Sequence, residues 1–116
     1  MFRSADVTAA FAKGMPLVEN EQFKVHASRR EKPGMAEVHH QDTDIIYVLE
    51  GSALLVTGGT VVGGKDTGPG ELRGASIDNG ESQRISKGDV IIIPAGIPHW
   101  FKEVSGPLLY YVVKVS

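Results

Sequence analysis

The segment "AEVHHQDTD", residues 36–44, places two histidines beside three carboxylates. The chain has only four histidines, His26, His39, His40 and His99. In an extended strand, residues two apart project to the same side, so Glu37 and His39 share a face and His40 points away. A tight turn at "QDT" would return the chain so that Asp44 opens the next strand beside them. Far along the sequence, His99 follows "PAGIP", whose prolines and glycine stiffen the backbone just before it. If that strand faces the same interior, Glu37, His39, Asp44 and His99 converge. Two imidazoles with one or two carboxylates suit one divalent transition metal ion: Fe, Mn, Ni, Co or Zn. A carboxylate of this set that is not bound to the ion would serve as a general base, which makes Glu37 and Asp44 the candidate catalytic residues. Asp44 is a methylene shorter than glutamate, so a second role stays open for it, orienting a histidine from behind.

Two further residues are candidates for a substrate pocket. Arg73, in "ELRGASI", stands two residues from Glu71. The two form either a solvated pair or a site in which Arg73 reaches the pocket mouth and binds a carboxylate through its planar fork. His26 shares a strand face with Lys24, Ser28 and Arg30, and reads as a pocket wall or an exposed residue rather than as a ligand.

Other chemistries are excluded by residue type. There is no cysteine, so disulfides, zinc-thiolate sites and cysteine nucleophiles are absent. No serine sits in a Gly-x-Ser-x-Gly elbow. "TGGTVVGG", residues 57–64, is glycine-rich but lacks the Lys-Ser/Thr ending and following helix of a phosphate loop. It reads as a strand end and a flexible loop. The 116 residues carry a formal charge of −2, which makes no electrostatic case for nucleic acid or an anionic membrane. No apolar run approaches the roughly 18 residues a membrane-spanning helix needs. The opening "MFRSADVTAAFAKG" has a short apolar stretch broken by Asp6 and Lys13, unlike a secretory signal, and the expected location is the cytoplasm.

The elements that must position these side chains are mostly strands. "SADVTAAFAKG", residues 4–14, predicts a short helix with Ser4 as N-cap and Gly14 as its stop. From there on the pattern is short strands punctuated by Gly, Pro and Asp, expected near residues 22–30, 35–40, 44–50, 52–58, 71–77, 82–86, 90–93 and 107–115. Residues 62–70 read as a loop and "DNG", residues 78–80, as a hairpin turn. This is an all-β pattern of antiparallel strands, a sandwich or a barrel, in a single domain. "DIIYVLEG", "DVIIIPAG" and "LLYYVVKV" are apolar on both alternating faces, so both are covered. The N-terminal helix, a second sheet or another copy of the chain would do this, and the expectation is a homodimer.

"GDVIIIPAGIPHWF", residues 88–101, resembles the second sequence motif of the cupin superfamily, with Gly88, Pro94, Gly96 and His99 on the matching positions. Residues 34–51 are similar to the first: Asp44 and Gly51 have its Glu-x6-Gly spacing, His39 stands at its second histidine and Gly34 lies near its leading glycine. The wording "RGASI" and "GDVIIIPAGIPHWFKEV" is similar to that of small bacterial single-domain cupins. The sequence differs from the pattern at Glu37, where a histidine is usual, at Asp44, where a glutamate is usual, at Glu103, where an asparagine is frequent, and in the longer stretch 52–87 between the motifs. The resemblance implies an antiparallel double-stranded β-helix, or jelly-roll barrel, with a metal held by Glu37, His39, Asp44 and His99.

Three functions fit these residues. One is a metal-dependent enzyme, dioxygenase-like or isomerase/lyase-like, acting on a small organic substrate that chelates the ion inside an apolar barrel. The second is a non-catalytic barrel that binds or senses a small-molecule ligand. The third is a metal-free barrel in which Glu37 and Asp44 hydrogen-bond His39 and His99.

Overall fold

A computed structural model describes all 116 residues. The chain opens with helix α1 (Ser4–Lys13) and continues as β1 (Met15–Glu19), β2 (Phe23–Arg30), β3 (Ala36–His39), β4 (Thr43–Thr57), β5 (Thr60–Val62), β6 (Lys65–Gly68), β7 (Glu71–Gly74), β8 (Ser76–Asp78), β9 (Glu81–Ser86), β10 (Val90–Ile93) and β11 (His99–Val115). All pairings between these strands are antiparallel. The architecture is a jelly-roll barrel, the form that the resemblance to cupins implies within the sandwich-or-barrel class read from the strands and turns.

Two long strands, β4 and β11, pair along nearly their whole length and belong to both layers of the barrel. The first half of β4 and the second half of β11 lie in one layer with β10 on one flank and β2 and β1 on the other. Their other halves lie in the second layer with β9, and with β3, β7 and β6. Where the sequence predicts two strands split at Gly51, a single strand bends through it. Gly51 has φ +83°, and a Cβ there would collide with the Pro107 carbonyl where β11 bends alongside. The register shifts between Ser105 and Leu109 at the same level, so both strands pass from one layer to the other together.

The main core lies between the layers and includes the fully buried Ile46, Leu55, Leu108 and Val48. Burying each such side chain stabilises the fold by about 1.5–3 kcal/mol. On the outer face of the first layer, α1 covers part of the sheet. Its Ala10 and Phe11 pack on Ala27 and against Leu49, Leu109 and Tyr111, with the Phe11 and Tyr111 rings edge to face at 5.0 Å. The helix therefore supplies part of the cover that the doubly apolar strands require.

Several local expectations are corrected. The N-cap is Arg3, whose side chain makes no capping bond, and Ser4 is already helical; Gly14 ends the helix as expected, with φ +75° and its N–H on Ala10 O at 2.8 Å. β1, β5 and β6 form where no strand was expected, and β11 begins eight residues early, because pairing with a neighbour offsets weak intrinsic preference. "DNG" does not close a hairpin. It joins β8, which pairs with β5, to β9, which pairs with β4. Gly58, Gly59 and Asn79 adopt positive φ at one level of this ribbon, breaking the ladder between Thr57↔Glu81 and Thr60↔Asp78.

Candidate metal centre

The site is assembled from residues directly opposite one another across neighbouring strands. His99 faces Glu37 across β11 and β3; Glu37 faces Arg73 and His39 faces Glu71 across β3 and β7; Lys114 faces Asp44 across β11 and β4. Directly opposed residues project from the same face of a sheet, so this register turns distant sequence positions into side-chain pairs. The loop after β10 is tied to the end of β3 by Gly96 N–H on His39 O at 2.8 Å, which couples the two motif segments.

Glu37, His39 and His99 offer donor atoms that all lie within 4.8 Å of one another. Glu37 Oε2 is 3.5 Å from His39 Nε2 and 3.7 Å from His99 Nε2. Asp44 Oδ2 faces the same two nitrogens at 3.6 and 3.8 Å. The two imidazole centroids are 4.9 Å apart, and both rings are buried. Donors held at about 2.1 Å around a tetrahedral ion stand about 3.4 Å apart, close to these four separations. Glu37, His39 and His99 fit a metal ion on their spacing, and Asp44 stands against both imidazoles outside that mutually close set.

Each donor is also held from behind. His39 Nδ1 lies 2.7 and 2.9 Å from the two oxygens of Glu71, which fixes the N–H there and turns Nε2 inward. His99 Nδ1 lies 3.4 Å from Ile97 O. Arg73 Nε is 3.4 Å from Glu37 Oε1, the oxygen turned away from the imidazoles. Lys114 Nζ donates to Asp44 Oδ1 at 3.0 Å and to Oδ2 at 3.1 Å.

The electrostatics follow from this packing. Burial pushes the Glu37 carboxyl up, but hydrogen bonds from His39 and His99 and the Arg73 charge outweigh it and hold the group well below the ordinary carboxylate range. Burial pushes the His39 imidazole down, yet the hydrogen bonds to Glu37 and Glu71 and the Asp44 charge raise it above its ordinary 6.5. The donors open onto a cavity of about 530 Å³. Six side-chain carboxylates line it against four Lys and Arg side chains, so a divalent ion would cancel the excess negative charge.

The structure thus brings together Glu37, His39, Asp44 and His99. Arg73 lines the same cavity, half exposed and against Glu37. His26 lines it from β2; its Nε2 is buried without a hydrogen-bond partner, and burial lowers its pKa. His40 is exposed and outside the cavity, with its N–H on Gly70 O at 2.8 Å. The barrel is less apolar around the site than its strands suggest, because β2 turns Lys24, His26, Ser28 and Arg30 inward. Lys114 was missed by motif spacing, since it lies 70 residues from Asp44. Its signal was a lone lysine in the apolar run "LLYYVVKV". Glu71 and Arg73 do not pair with each other; one serves His39 and the other Glu37.

The cupin family model matches residues 3–116. Among solved structures, BH2720 from Bacillus halodurans is similar at 16% identity and a TM-score of 0.69, over 99% of this chain and 80% of that one. Protein NMB1881 from Neisseria meningitidis is similar at 12% identity and 0.65, over 100% and 99%. Hydroquinone 1,2-dioxygenase from Sphingomonas sp. TTNP3, with 4-hydroxybenzoate bound, is similar at 10% identity and 0.62, over 90% and 65%. No curated protein matches. No helix of the chain is long and apolar enough to cross a membrane. With both motif segments at one centre and the family match running almost end to end, the chain belongs to the cupin family.

Proposed function

We propose that this cupin is a metal-dependent enzyme acting on a small organic substrate, with Glu37, His39 and His99 holding one divalent transition metal ion and Asp44 as the fourth donor. The observation that carries this reading is the set of four inward donor atoms, each backed on its outer side by Glu71, Ile97 O, Arg73 or Lys114. A site built only for stability would gain little from two buried carboxylates around two imidazoles. The bound ion would supply Lewis-acid or redox chemistry, of isomerase/lyase or dioxygenase type. The chain's own residues do the rest. Glu71 keeps the His39 Nδ1 proton in place, Lys114 holds the Asp44 carboxylate in position, and a carboxylate of the set not bound to the ion would be a base within reach of the substrate. The dioxygenase of like fold, seen with 4-hydroxybenzoate, supports a small oxygen-bearing ligand in such a barrel.

The chain is further proposed to form a homodimer through the part of the outer sheet that α1 leaves bare. Val90 and Ile92 on β10 are 61% and 63% exposed beside Tyr47 on β4. A second copy burying this face would satisfy strands that are apolar on both sides.

The test is elemental analysis of the purified chain beside His39→Ala and His99→Ala. Near-stoichiometric metal in the wild type and none in either variant supports the centre, and turnover by the loaded wild type in oxygen-uptake or isomerisation assays supports an enzyme. Saturable binding without turnover favours a ligand-binding barrel. A wild type that holds no ion after reloading defeats the reading.

A further inference from the structure

Resting on the metal reading, we infer that Arg30 is the anchor for a carboxylate group of the substrate, so that the substrate is a small organic acid bound to the ion by its other end. Three of the four Lys and Arg side chains in the cavity already face a carboxylate: Lys24 meets Asp42 at 3.3 Å, Arg73 meets Glu37 and Lys114 meets Asp44. Arg30 lines the same cavity and has no carboxylate within 4.0 Å. Arginine is always charged, and a half-buried guanidinium without a counter-ion is costly unless something supplies one.

The guanidinium is nevertheless held in place. It lies over the Phe101 ring at 4.8 Å from the centroid, and its Nε donates to the Tyr110 hydroxyl at 3.4 Å. Gly34 packs against it as well: a Cβ there would collide with Arg30 Nη1. Only the Nε edge is satisfied by the protein, which leaves the fork formed by the terminal nitrogens for a ligand. A planar carboxylate matches that fork through two parallel hydrogen bonds.

The distance to the metal donors sets the substrate's length. Phe101 and His99 are two residues apart on β11 and both face the cavity, so their side chains are offset by about 6.8 Å along the strand. Arg30, stacked on Phe101, is therefore about one small molecule away from the His99 imidazole. A four- or five-carbon acid with an oxygen donor at the far end spans that interval. Arg73 also meets its partner through Nε, but that partner is the Glu37 carboxylate, which already supplies its counter-charge, and Lys114 has no fork and is held by Asp44.

The test titrates succinate and glutarate, and their monoamides succinamate and glutaramate, calorimetrically into the full chain, with metal measured on the same samples. In metal-replete wild type, at least one diacid should bind about tenfold or more tighter than its monoamide. Arg30→Gln should erase that margin and keep its metal. Gly34→Ala retains the arginine and its charge but displaces the fork, and should shrink the margin too, which covers the case in which Arg30→Gln folds poorly. Equal binding of diacid and monoamide by metal-replete wild type, or a margin that survives both variants, overturns the anchor and leaves the metal centre standing. If the wild type holds no ion after reloading, the metal reading fails on its own. Diacid binding that still disappears in Arg30→Gln then keeps the anchor, and diacid binding that persists overturns it.

Discussion

The His39 imidazole and the Glu71 carboxylate face each other across β3 and β7, with Nδ1 2.7 and 2.9 Å from the two carboxylate oxygens. A metal-binding histidine needs its second nitrogen held in this way, because the hydrogen bond sets the tautomer, the ring plane and the basicity of the first. Glu71→Ala should lower metal affinity by about 10–100-fold, read by competition with a chelator of known affinity. The metal-free variant should melt close to the metal-free wild type, since Glu71 is partly exposed. An unchanged affinity would show that Glu71 is only a surface partner of His39.

Lys114 grips both oxygens of a buried Asp44. Lys114→Met leaves that carboxylate without its cation, a change that costs about 3 kcal/mol or more when the group stays charged and buried. A bound ion replaces part of the lost charge. The variant should therefore lose more melting temperature after chelation than when metal-loaded, as followed by thermal denaturation of the two forms. Equal losses in both would place Asp44 outside the ion's reach.

Metal binding should itself stabilise the fold, because the four donors come from β3, β4 and β11 and are gathered only in the folded chain. Free ion at a hundred times its dissociation constant adds about 2.7 kcal/mol. For a domain of this size that raises Tm by on the order of 10 °C. Chelation should reverse the rise, and His99→Ala should show none, measured by calorimetry with and without chelator.

His26 gives the metal-free protein a pH dependence that can be isolated by substitution. Burial lowers its pKa below the ordinary 6.5, with Lys114 and Lys24 acting in the same direction and Glu19 and Asp44 against it. Between the folded pKa and 6.5 the unfolded chain holds more protons than the folded one. The His26 contribution is therefore present above pH 6.5 and is lost as pH falls through the folded value. His39, whose pKa is raised, acts in the opposite sense, and Glu37 titrates far below this window. Comparing His26→Asn with wild type removes both. The chelated wild type should lose more Tm from pH 7.5 to pH 5 than the variant does; parallel curves would count against a buried neutral His26.

The bare outer face predicts an assembly. Ile92→Glu puts a charge at the centre of the apolar patch formed with Val90 and Tyr47. Sedimentation should show a dimer for the wild type and a monomer for the variant, with melting otherwise little changed, since Ile92 packs against little in the single chain. A monomeric wild type would remove this face as an interface.

Much of the site was legible in the chain itself. Strand parity placed Glu37 with His39 and turned His40 outward, and the "PAGIP" before His99 marked the far histidine of the cluster, because period-two alternation and proline geometry are local properties that hold in any β fold. The all-β pattern and the two cupin-like motifs were local in the same sense. What the tertiary structure decided was pairing between strands. Register alone sets Lys114 opposite Asp44, Glu71 opposite His39 and Arg73 opposite Glu37, and it depends on bends at Gly51 and Ser105–Pro107 that span the whole barrel. It also decided which cation stays free. Arg30 and Arg73 are equal as residue types, but Arg73 faces a carboxylate across a ladder, while Arg30 lines the same cavity stacked on Phe101 with no carboxylate within 4.0 Å. Charge is written in the sequence; the partner of each charge is a long-range contact, and only the closed barrel brings those partners together.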